Sequence, residues 1–184
     1  MAKAIKNYNI TAHIHQFAVW TAARAVQRNF TTTENIKKVI EKTQLYDLID
    51  NPEIAYDNYE LFHDKCAKKI ITSFNKLKDK NGNELLATYG IAAKIIAIYI
   101  KTAVIISNKG KKELSKVAYP PIDRILLTNL KKDYPEIKKL SWTKFDRTQY
   151  LETINIINKI KADKKLKAYW EIESYWTPTD DDEN

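Results

Sequence analysis

The sequence predicts an all-α fold, a compact multi-helix single domain. Strict apolar-polar alternation is nearly absent, so there is no pattern for a half-buried strand. Only three glycines, at 82, 90 and 110, and five prolines interrupt the 184 residues. Between these breaks, apolar residues recur at helical spacing.

A first helix is predicted over about 11–29, with Ile14, Phe17, Ala18, Ala22, Ala25 and Val26 as its buried stripe. Thr31, Thr32, Thr33 and Glu34 supply capping groups for a short second helix carrying Ile36, Val39 and Ile40. Asn51-Pro52 opens a third segment in which Ile54, Tyr56, Tyr59, Phe62, Cys66, Ile70 and Phe74 keep helical spacing to about Leu77. The stretch 79–83 has turn composition, and 84–88 reads as a short helix leading to Gly90. The apolar stretch 91–107 follows as a core helix; it is interrupted by Lys94, Lys101 and Thr102 and falls short of the ~20 residues a bilayer crossing needs. The lysine-rich stretch 108–119 is the most loop-like internal region, after which Pro120-Pro121 favours a new helix start buried through Ile122, Ile125, Leu126 and Leu130. Another helix runs from Trp142 through Ile160, and an aromatic helix over 168–176 ends the domain. One domain is expected over 1–176, with 177–184 as a disordered acidic tail.

Composition narrows the function classes. With 44% hydrophobic residues and a mean hydropathy of −0.49, the chain has apolar surface enough for a core without staples. Its single cysteine, Cys66, can form neither an internal disulfide nor a thiolate cluster. The N-terminal residues lack the apolar stretch of a secretory signal, so a reducing cytoplasm is the expected compartment. His13, His15 and His63 lack metal-ligand spacing with acids apart from the His63-Asp64 pair, and neither a metal nor an organic cofactor is expected. No arginine precedes a histidine by four to six residues, which excludes the site of small helical RNases of the HEPN type. The formal charge of +8 would stand near +12 without the four acids at 180–183. Such a surface attracts polyanions, of which nucleic acid is the commonest in cytoplasm; a lysine-rich genome-wide bias is the other source of such charge.

Two helix starts carry the chemistry. Tyr89-Gly90-Ile91-Ala92-Ala93-Lys94 places a lysine early in the core helix, and Pro120-Pro121-Ile122-Asp123-Arg124 places an aspartate at the head of a later one. Unpaired amides and the positive helix dipole at such a start attract an anion. An amine in a partly dry pocket loses its proton more readily, and a nearby carboxylate can move protons or stabilise growing positive charge.

The segment 85–130 resembles the helix-hairpin-helix DNA glycosylase and AP lyase superfamily. The resemblance implies a hairpin at Tyr89, Gly90 and Ala92 that holds a DNA phosphate, Lys94 as the nucleophile, and Asp123 as the electrostatic and acid-base partner. The family hairpin usually carries a second glycine where this chain has Ala92. The 29 residues from Lys94 to Asp123 also exceed the family's spacing, a surplus that fits the loop 108–119. The partner so implied is DNA, double-stranded with the target base flipped out against an aromatic wall.

Further candidates for nucleic-acid contact are Lys109, Lys111 and Lys112 in the loop, Arg124 beside Asp123, and Trp20 with Arg24 on the first helix, where His13, Gln16 and Phe17 share the same side. Arg24 needs a partner if buried, either a phosphate or a carboxylate such as Asp57 or Glu60. The terminal Tyr169, Trp170, Tyr175 and Trp176 suit either stacking on bases or packing on the core. The rival to an enzyme is a non-catalytic helical module that binds nucleic acid or another protein.

Overall fold

The computed structural model describes residues 8–26, 30–79, 81–138 and 141–177. The fold is all-α; the only β feature among the described residues is an isolated antiparallel bridge between Lys78 and Glu84. The elements are α1 (Ile10–Val26), α2 (Thr33–Ile40), α3 (Tyr59–Phe74), α4 (Tyr89–Ile100), α5 (Leu114–Val117), α6 (Arg124–Asp133) and α7 (Arg147–Asp163), with short 3-10 turns between them. Helix α4 continues as a wide π turn over Lys101–Ile106.

Helix α4 is the axle of the molecule, with α1 and α3 packed against it and α7 closing on its N-terminal half. Ile95, Ile96 and Ile100 on α4 are fully buried, each contributing about 2 kcal/mol of apolar burial. The stretch 89–106 is long and apolar enough to cross a membrane by composition, yet 72% of it is buried inside the fold, the setting of a core helix.

Side-chain caps fix where the helices begin. Thr32 accepts from the Asn35 amide, Asn58 from Leu61, Thr88 from Ile91 and Asp123 from Leu126, while Asp146 and Gln149 form a reciprocal capping box. Each short polar side chain satisfies an amide that has no partner within its own helix.

Several expected elements are corrected. On α1 the buried face is His15, Ala18, Val19, Ala22, Ala23 and Val26, so the stripe is rotated and Phe17 lies outside. The rotation follows from His15, which takes a core position by bonding the Tyr99 hydroxyl at 2.7 Å. The third segment divides at Asn58 into a 3-10 turn, Pro52–Ala55, and α3. The expected helix over 84–88 is extended chain instead, tied by the Leu85 amide to the Leu77 carbonyl at 3.1 Å. Pro120 and Pro121 lie outside the helix, because Asp123 is the cap and α6 begins only at Arg124. Trp142 opens a separate 3-10 turn before α7, and the last aromatic segment, Tyr169–Tyr175, is 3-10 as well. Thr177, expected in the tail, is held by the Asn129 carboxamide at 3.1 Å; 178–184 lie outside the described residues.

Candidate active site

The start of α4 is closed to an anion. The Gly90 amide donates to the Phe145 carbonyl at 3.0 Å, the Ile91 amide to Thr88 Oγ1 at 3.2 Å and the Ala92 amide to the Thr88 carbonyl at 3.1 Å. Gly90 is there for close approach: a Cβ at this position would meet the Trp142 carbonyl oxygen at 1.9 Å. Tyr89, Gly90 and Ala92 are all buried. With no helix over 85–88 ahead of α4 and the amides of Gly90, Ile91 and Ala92 already paired, the expected phosphate-holding hairpin is not formed, and Tyr89, Gly90 and Ala92 are packing residues.

The two residues expected to carry chemistry do converge. Lys94, one turn into α4, is only 6% exposed, and its Nζ donates to Asp123 Oδ2 at 2.9 Å and to the Pro121 carbonyl at 3.5 Å. The Trp142 ring centre lies 5.7 Å from the ammonium, within cation-π range. Asp123 is fixed from the other side: Oδ1 caps α6 through the Leu126 amide, and Oδ2 also accepts the Trp176 indole N–H at 2.8 Å. Burial pulls the Lys94 amine below its ordinary value, opposed by the attraction of Asp123, and burial prevails. The amine is therefore easier to deprotonate than a surface lysine.

The pair sits at the wall of a cavity of about 1050 Å³, on whose surface Arg24, Lys101, Arg124 and Lys132 supply cationic groups and Trp142 and Trp176 supply flat rings. The cavity lies where α1, the α4–π segment, α6 and the C-terminal segment meet. Lys101 pairs with Glu173, whose second oxygen, Oε1, is buried without a hydrogen-bond partner, and Lys101 also lies 5.2 Å from the Trp176 ring centre. Comparison with protein-family models, with curated proteins and with solved structures finds no match.

Among the other expected contact residues, Arg24 and Arg124 line the cavity and are exposed. Arg24 forms no salt bridge among the described residues, so neither Asp57 nor Glu60 is its partner; Glu60 pairs with Arg147 instead. Trp20 is exposed and stacked on Phe17, one turn from Arg24 and outside the cavity lining. Lys109, Lys111 and Lys112 belong to the turn around Gly110, which packs against Trp170 rather than lining the cavity. The sequence reading missed Glu173 and the cavity roles of Trp142 and Trp176. Charge complementarity with Lys101 is the only signal for Glu173, and across a separation of 72 residues it points to no particular acid.

A second buried polar group lies at the opposite side of the α4 start. His63 Nδ1 is 3.3 Å from the Tyr89 hydroxyl, which donates to Asp64 at 3.3 Å, and Asp64 also accepts from Arg147 Nε and Lys68 Nζ, each at 2.7 Å. Tyr150 stacks on His63 with ring centres 5.3 Å apart, and Tyr119 meets it edge-on. Burial drives the His63 pKa down to about 3, with Asp64 opposing and Arg147 assisting. Burial also acts on Asp64, but the bonds from Lys68 and Arg147 hold its carboxyl below the usual range. No group of three or more metal-ligating side chains occurs among the described residues.

Proposed function

We propose that this protein is a base-excision enzyme, a DNA glycosylase with AP lyase activity that acts through Lys94 and Asp123. The observation that carries the proposal is the 2.9 Å contact between a buried lysine, whose amine gives up its proton more readily than a surface lysine, and a carboxylate, at the wall of a cationic cavity with room for a nucleobase. DNA is the proposed partner, with the target base turned out of the stack and received between Trp142 and Trp176.

The chemistry follows from the two groups. The neutral Lys94 amine uses its lone pair to form the N–C1′ bond as the C1′–base bond breaks, its electron pair departing with the base. Asp123 takes the proton the amine sheds and returns it to the base. Nitrogen's remaining lone pair then expels the ring oxygen, which takes up one proton from solvent, leaving a protonated Schiff base on Lys94. Until it takes the proton from the amine, the Asp123 carboxylate faces the positive charge that develops at C1′ as the base departs.

Borohydride, which reduces that Schiff base to a stable amine, gives the test. Intact protein incubated with an abasic-site oligonucleotide should yield a covalent adduct, and Lys94→Met should yield none. Asp123→Asn should slow trapping about a hundredfold. No adduct from intact protein on abasic or damaged-base DNA overturns the lyase reading.

A second reading has its own observation. Asp123 already caps α6 and neutralises Lys94, roles that a structural ion pair fills without turnover. The protein would then be a binder that holds nucleic acid through the cationic cavity. Both readings expect DNA affinity to fall steeply with salt, and only the enzyme forms the adduct.

A further inference from the structure

We propose that the outer face of α1 is a stacking ledge for unpaired nucleotides, which leads a single strand into the cavity. Phe17 and Trp20 receive the bases and Arg24 the phosphate at the cavity mouth. The inference rests on the reading of the cavity as a nucleic-acid site and specifies its substrate as a strand with unpaired bases beside the reacting one.

Phe17 and Trp20 are each 51% exposed, and their rings stack with centres 5.8 Å apart at 18°. The core does not need them, because α1 buries Ala18, Val19, Ala22, Ala23 and Val26 on its other side. That packing fixes the helix rotationally and holds the two rings outward. One face of each ring is turned toward the other, and about half of each side chain stays open to solvent as a paired apolar surface beside the cavity.

The order of residues names the occupant. His13, Phe17, Trp20 and Arg24 recur at steps of four, three and four, which places them along one helix face spanning about 16 Å. Arg24 at the end of this row lines the cavity, together with Lys101, Arg124 and Lys132. The row therefore runs from aromatic faces to a cationic mouth, complementary to a chain of bases joined by phosphates. Every base offers a π face, so such a platform tolerates any sequence. A duplex hides those faces in its own stack, which makes the matching ligand single-stranded.

The test uses a fluorescein-labelled short oligothymidylate and the corresponding duplex, with binding read by anisotropy. The single strand should bind more tightly than the duplex, and the Phe17→Ser/Trp20→Ser variant should weaken it roughly ten- to hundredfold. Arg24→Gln should lower the slope of log affinity against log salt by about 0.7, the value for one single-strand phosphate. Both altered aromatics are exposed, so circular dichroism should report an unchanged fold. Equal affinity of the double variant and the intact protein overturns the ledge, as does a preference for duplex. Self-association that vanishes in the double variant without a change in oligothymidylate affinity also overturns it, in favour of an interface between copies. Binding requires no chemistry, so the two proposals fail separately. Ledge-dependent binding without any borohydride adduct removes Lys94 as nucleophile and keeps the ledge; an adduct with ledge-independent binding does the reverse.

Discussion

The two buried polar groups on either side of the α4 start use similar parts to opposite ends. Around His63 the titratable group is sealed among Tyr89, Tyr119 and Tyr150, and its neighbour Asp64 is neutralised by Arg147 and Lys68 at the surface. Around Lys94 the titratable group touches its carboxylate directly, and both residues line an open cavity. Burial lowers both proton affinities, yet only Lys94 has a place beside it for a reactant. A perturbed pKa is therefore a candidate for chemistry when it borders usable space, and a mark of packing when it does not.

The largest way to break this contrast is acid. His63 binds its proton at about 3 when folded and near 6.5 when unfolded, so its contribution to stability is present above pH 6.5 and is lost as pH falls toward 3. The full loss is on the order of 5 kcal/mol. His63→Phe, which keeps a ring against Tyr150, should move the acid-unfolding midpoint to lower pH in a circular dichroism titration. An unmoved midpoint would assign acid sensitivity elsewhere and remove the contrast.

Next in size, Asp123→Ala should cost about 4 kcal/mol in urea unfolding, since it leaves the buried Lys94 ammonium without its counterion and α6 without its cap. Lys94 holds its proton less tightly folded than unfolded, so the unfolded chain binds more protons between the lowered value and 10.5. Stability contributed by this group therefore climbs as pH rises through that window, and the climb should be steeper in Asp123→Ala. A flat profile would mean that the amine reaches solvent.

Gly90→Ala should cost about 3 kcal/mol, because the added methyl meets the Trp142 carbonyl. Its use is in discrimination: the displaced segment carries Trp142, so borohydride trapping should fall while the His63-dependent acid midpoint stays. Smallest is Trp176→Phe, which removes one indole bond to Asp123 and should cost about 1 kcal/mol in the same unfolding assay. A larger loss would show that the C-terminal segment depends on this contact.

The sequence made the helical class legible because polar caps and apolar spacing are local signals; Thr32 appears in it as punctuation, whereas the Asn58 cap lies inside a run whose apolar spacing continues across it. Lys94 and Asp123 were legible as two helix starts in a fixed order, and the fold brings them to 2.9 Å. The extended 84–88 stretch was not, since Leu85, Leu86 and Ala87 favour a helix and only pairing with Leu77 decides otherwise. Nor was the rotation of α1, where apolar residues lie on both faces and a histidine takes a core position. Glu173 depended on a contact between chain segments far apart, which periodicity cannot register.

The π turn over Lys101–Ile106 has a consequence for how this cavity can change. Each residue of an α-helix rotates the side-chain direction by about 100°, so Ile106 on a straight α4 would point about 120° away from Lys94. The wide turn absorbs one residue and returns Ile106 to the wall that Lys101 and Thr102 also line. It is thus a stored insertion. A chain one residue shorter between 102 and 105 would close the turn into straight α-helix and leave the helix start, the lysine and Ile106 on the same wall, because the deletion removes the residue that the turn absorbs. Gain of one further codon there, with no second wide turn to take it up, would instead rotate Ile106 about 100° off the wall while the helix start and Lys94 stayed in place.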